Sequence, residues 1–155
     1  MGMTCLPSDL AVTVLGEKAA ASLQRIVERE GAARGLGPHV VANDYLMSKW
    51  AVLVEEVEHE TYPDHMMVEE YANDVHSRVL LATLIEVAPP DLAEALSAWV
   101  APLDARFKAA TVRADRPFFG RPDPTSQQVA SPWLWRIPKR PTGRLAEDLA
   151  GMGLL

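Results

Sequence analysis

Glu56-Val57-Glu58-His59 places a carboxylate and an imidazole three positions apart, the Glu-x-x-His spacing by which helical bundles hold pairs of metal ions. His65, Glu69 and His76 come downstream. A di-metal interior needs a second such motif, and the nearest counterpart is Asn73-x-x-His76, with an amide where a carboxylate is required. On a helix, His59 falls opposite the stripe made by Trp50, Leu53 and Val57, so its ring is expected to face solvent. The expectation is therefore a solvated acidic face with no cofactor and no interior metal. A surface metal bound by His59, His65 and Glu69 is the alternative.

Nucleophilic chemistry has little to work with. The single cysteine, Cys5, stands in a segment expected to be loose, and no serine lies in a Gly-x-Ser-x-Gly frame. Gly35-Leu36-Gly37 lacks the third glycine of a dinucleotide-binding turn, and no clear strand precedes it.

Charge carries more information. Thirteen Asp and Glu stand between Asn43 and Asp104, against only Lys49 and Arg78. Seven of these acids, Glu55, Glu56, Glu58, Glu60, Asp64, Glu69 and Glu70, gather around one expected helix-helix connection. Such a surface speeds association with a cationic patch and selects for it. Residues 1–106 sum to −10 and residues 107–155 to +4, so a basic tail succeeds an acidic body. Folding of the tail onto the body is the expected use of that asymmetry.

The tail also offers an interface of its own. From Arg113 to Pro141 it holds six of the twelve prolines, six Arg or Lys, and Phe118, Phe119, Trp133 and Trp135. Arginines with aromatic rings can bind phosphates and stack on unpaired bases. The same composition suits an extended arm that anchors Trp133, Trp135 and Arg136 on the rest of the chain, since repeated prolines exclude a long helix or a central strand.

The elements that must position these residues read as helices. Residues 1–8 are expected to be loose, and Ser8 or Asp9 to cap a first helix. Residues 10–15 fit a helix or a short strand. A helix is expected from Glu17 to about Glu30, then a loop with Gly31, Gly35, Gly37, Pro38 and His39. Asn43 opens the next helix, along which Leu46, Trp50, Leu53, Val54 and Val57 recur at i, i+3 and i+4. Thr61-Tyr62-Pro63 ends it and Asp64 is expected to cap a second helix, antiparallel to the first.

Val68, Tyr71, Ala72, Val75, Val79 and Ala82 form one face of that second helix, with Asp74 and Arg78 an exposed i, i+4 pair. Apolar residues then appear on nearly every side through Ile85, which predicts a buried C-terminal half. Pro89-Pro90-Asp91 begins a fourth helix carrying Leu92, Leu96, Trp99, Leu103 and Phe107, with a kink or break near Val100 ahead of Pro102. Thr142 is expected to cap a last short helix ending at Gly151.

These readings assemble into a single all-α domain over 1–155. A helical body at 9–112 forms a small antiparallel bundle of about four helices, with an extended Pro/Arg/Trp-rich arm at 113–141 packed on it and a short helix at 142–151. No apolar run reaches the roughly 18 residues needed to cross a bilayer, and no basic-then-apolar leader opens the chain. A cytoplasmic protein with no membrane partner is expected. The functional expectation is a non-catalytic module docking a basic protein, in the manner of nuclease-inhibiting immunity proteins or of adaptors. A helical metal-dependent enzyme using His59, His65 and Glu69 is one alternative, and nucleic-acid binding through the arm is the other.

Overall fold

The computed structural model describes residues 9–33, 43–118 and 131–155, less the side chains of Asp9, Asn43 and Asp44. Among them are helices α1 (Asp9–Leu15), α2 (Glu17–Ala33), α3 (Asn43–His59), α4 (Val68–Val87), α5 (Pro90–Ala110) and α6 (Gly143–Gly151). Strands β1 (Thr111–Arg113) and β2 (Arg136–Pro138) complete them, with a 3-10 turn at Pro132–Trp135. The fold is the expected all-α bundle with a C-terminal arm.

The contacts gather into two compact units. One comprises the described residues of Met1–Lys49 with Leu80–Ala101, the other those of Trp50–Val79 with Pro102–Leu155. In the first, α1 packs on α2 across Gly16, whose φ of +86° favours glycine. Residues 10–15 are thus helix, not strand. Helix α2 runs to Ala33 with Gly31 buried inside it, three residues beyond the expected end at Glu30. Leu23, Ile26, Val27, Leu46, Met47, Leu81, Leu84, Leu92 and Leu96 are among the buried residues of this unit. The all-round burial expected for the end of α4 holds at Leu81 and Leu84, while Leu80 and Ile85 are half-buried and Val87 is exposed.

The second unit holds the acidic residues and the arm. Trp50, Leu53, Val54 and Val57 of α3 face its core with Tyr71, Ala72 and Val75 of α4. Helix α3 ends at a left-handed residue, Glu60 (φ 57°), and the Thr61 amide reaches back to the Glu56 carbonyl at 2.9 Å. These are the marks of a Schellman cap, built here on a glutamate where glycine is usual. The connection is longer than expected, residues 60–67, and α4 begins at Val68. Asp64 does not cap it. Met67 supplies the carbonyl of the first α4 bond, to the Tyr71 amide at 3.1 Å, but has no side-chain oxygen to cap with. The Val68 amide is taken instead by Asp148 Oδ2 of α6, at 3.0 Å.

Helix α5 continues through Pro102 to Ala110, so the chain does not break near Val100, where a kink or break was expected. Pro102 is exposed, so the C=O it leaves unbonded within the helix can meet solvent. The chain then enters β1, which pairs antiparallel with β2 in the register Thr111 with Pro138, Val112 with Ile137 and Arg113 with Arg136. The arm therefore contains a short ladder and a 3-10 turn, more regular than its composition implied. Two strands of this length tolerate Pro138 because each is an edge.

Candidate functional site

Glu55, Glu56 and Glu58 stand on α3, Glu69 and Glu70 on α4, and Glu60 and Asp64 in the connection between them; several are already engaged. Arg106 of α5 reaches α3, with Nη2 at 2.7 Å from Glu55 Oε1 and 2.8 Å from Glu58 Oε1, and Nε at 2.9 Å from Glu58 Oε2. That guanidinium holds the Glu58 carboxyl below the usual carboxylate range. The carboxylates in turn push Arg106 up. Glu60 Oε1 meets Arg140 Nε at 3.3 Å, so the basic tail does fold back onto the acidic body at this point. Glu55, Glu58, Glu60, Asp64 and Glu69 are exposed, while Glu56 and Glu70 are half-buried. Among the described residues, Asp64 and Glu69 have no ion-pair partner.

His59 points outward as the helical wheel required, its side chain 59% exposed and Nε2 3.3 Å from Glu55 Oε2 and 3.4 Å from Glu58 Oε1. His65 lies 4.0 Å from Glu70 on the far side of the loop. Among the described residues no three His, Cys, Asp or Glu converge as a metal site, and His59, His65 and Glu69 are not brought together. Cys5, Ser8, His39 and Phe119 lie outside the described residues.

Tyr62 sits in the same loop. Burial, reinforced by Glu60 and Glu56, pushes its phenol up to about 12. Tyr71 is fully buried, which raises its phenol well above 10, and it donates to the Arg136 carbonyl at 2.8 Å.

Three aromatic residues and Arg136 anchor the arm. Trp133 is buried against Trp50 and Phe107, with ring centroids 5.3 and 5.9 Å away, and the guanidinium of Arg78 lies 4.9 Å from its ring centre. Phe118 is buried against Tyr71 at 5.0 Å. Arg136 donates to the Thr111 hydroxyl at 2.8 Å and to the carbonyls of Lys108 and Thr111 at 3.0 and 3.1 Å. A cation at the C-terminal end of α5 also suits its dipole. Trp135 is half-buried beneath Arg113, 4.9 Å from its ring. Two of the rings offered for stacking on bases, Trp133 and Phe118, are thus spent in the core.

The feature at the centre of this unit was not fully legible in local spacing. Arg78, read as a surface partner of Asp74, is only 9% exposed and forms a two-pronged pair with Asp104 of α5, Nε to Oδ1 and Nη2 to Oδ2 each at 2.9 Å. Trp50 Nε1 donates to the same Oδ1 at 3.2 Å. One signal was available: Arg78 falls on the 71/75/78/82 line that the helix turns inward. Its partner, twenty-six positions away, had none. Arg78 and Asp104 form a largely buried ion pair, in which Arg78 Nη1 has no hydrogen-bond partner among the described residues. Family models, curated proteins and solved structures were all compared with the chain, and none matches.

Proposed function

We propose that the chain is a non-catalytic protein-binding module that presents the 60–67 loop and the start of α4 to a basic protein partner. One observation carries this reading. Of the seven carboxylates at this end, Arg106 and Arg140 answer two charges, and Asp64 and Glu69 remain exposed without a counter-ion among the described residues. Exposed charge of one sign, held on a folded frame, speeds encounter with an opposite patch and rejects like-charged surfaces. An inhibitor of a cationic enzyme or an adaptor would use it in the same way.

The test is a pull-down from the native extract at low and high salt, comparing the unaltered chain with an Asp64→Lys/Glu69→Lys variant. A second variant, Glu86→Lys/Glu94→Lys, makes the same change in net charge elsewhere. Capture of one basic protein that weakens steeply with salt, and that only the loop variant loses, is the expected result. Equal loss in both variants would reduce the effect to overall charge, and no loss in either would remove this surface from consideration.

A further inference from the structure

The two ends of the acidic loop are held by one short stretch of the C-terminal segment. At the near end Arg140 Nε meets Glu60 Oε1 at 3.3 Å. At the far end Arg144 Nη2 donates to Met67 Sδ at 3.5 Å, and Asp148 Oδ2 accepts from the Val68 amide at 3.0 Å. Arg144 and Asp148 are one helical turn apart on α6, which seats itself through Leu145 and Leu149, both fully buried.

Helix α6 is poorly equipped to stand alone. Its nine residues fall short of the roughly 12–15 an isolated helix needs. Thr142 makes no side-chain cap bond, and Gly143 enters at φ +60°. At its other end Gly153 is left-handed, the Leu154 amide closes on the Leu149 carbonyl at 2.9 Å, and Arg116 donates to the Met152 carbonyl. Docking, with these last-turn contacts, keeps it helical.

We propose that residues 140–149 are a releasable clasp on the 60–67 loop, so that undocking α6 frees the loop and uncaps α4 in one local event. The dependence is mutual: the first amide of α4 relies on a carboxylate of α6, and α6 holds its shape only while it is docked. Local openings of this kind use segments with few buried contacts, and α6 buries only two large side chains. The consequence for binding rests on the reading of the loop as the docking surface, because a partner gripping Glu60 competes directly with Arg140. The clasp itself does not depend on that reading.

Hydrogen exchange on the full chain tests it. Amides of the loop, Val68 and α6 are expected to exchange as one group, faster than those around Trp50 and Phe107. Asp148→Ala should speed the whole group about fivefold, the factor expected for a lost helix cap. Asp148→Asn, which keeps an acceptor oxygen, should restore most of the protection, and Arg140→Gln should affect the loop more than α6. Unrelated rates for loop and α6, or an Asp148→Ala effect confined to α6, would overturn the clasp. If Asp148→Ala instead unfolds the chain globally, protection will be lost alike in every group, the Trp50 and Phe107 surroundings included, and that too rejects a local device. Binding of a lysine-rich peptide separates the two ideas. Grouped exchange with no binding keeps the clasp and removes the docking surface, whereas binding with ungrouped exchange does the reverse.

Discussion

Replacing Asp104 with alanine should be among the most damaging single changes available in this chain. The carboxylate takes two hydrogen bonds from Arg78 and one from Trp50, and the two charged side chains are only 10% and 16% exposed. Losing it leaves a guanidinium in the interior facing Trp133, with no anion to balance it. Breaking a buried pair by removing one member costs about 3–5 kcal/mol, and the residual exposure here argues for the lower end, about 3 kcal/mol. Against a typical domain stability of about 5–15 kcal/mol, that is a large fraction.

The informative comparison is with the pair removed together. Arg78→Met/Asp104→Leu substitutes apolar side chains for both charges, and such replacements are often neutral or stabilising. The expectation is that the double variant lies within about 1 kcal/mol of the unaltered chain, although each single change costs several times that. Urea unfolding monitored by tryptophan fluorescence reads this well, since Trp50 and Trp133 both line the cluster. A cost below about 1 kcal/mol for Asp104→Ala would mean that the pair is effectively solvated. Additive single costs in the double variant would show that the two residues do not act on each other.

The acidic end yields two further outcomes. Glu58 has its carboxyl lowered in the folded state, first by the Arg106 hydrogen bond, so its contribution is present above the unfolded carboxylate value of about 4.5 and is lost as pH falls through the lower folded value. Arg106→Gln should therefore flatten the acid limb of a melting-temperature profile while leaving the slope near neutral pH unchanged; an unchanged acid limb would count against the bridge. Glu60 sits at φ 57°, a conformation costing a residue with a Cβ about 1 kcal/mol, while its partner Arg140 is 79% exposed and holds it weakly. Glu60→Gly should raise the stability by up to about 1 kcal/mol in thermal melts, and a loss would show that the Arg140 contact outweighs the backbone strain.

The helices were legible in the residues alone because a helix is written in local spacing. Leu46, Trp50, Leu53, Val54 and Val57 repeat every three or four positions, and all five are buried. His59 lies off that stripe and its ring is outside. The basic tail and acidic body were legible as opposites, and Arg140 with Glu60 realises part of that attraction.

What spacing does not encode is which residue of another element comes to rest beside a given side chain. Arg78 and Asp74 stand in a good surface arrangement, yet Arg78 is buried, because Asp104 and Trp133 arrive from elsewhere to receive it. Helix α4 starts at Val68 because a carboxylate eighty positions away accepts its first amide, where a cap at Asp64 would have needed nothing but neighbours. Arg136 and Tyr71 tie an arm that composition described only as proline-rich, and backbone pairing turned part of that arm into strand. Local periodicity thus determined which faces are apolar; only the packed chain decided which polar groups are enclosed, since desolvation and pairing depend on whatever surrounds a group in space.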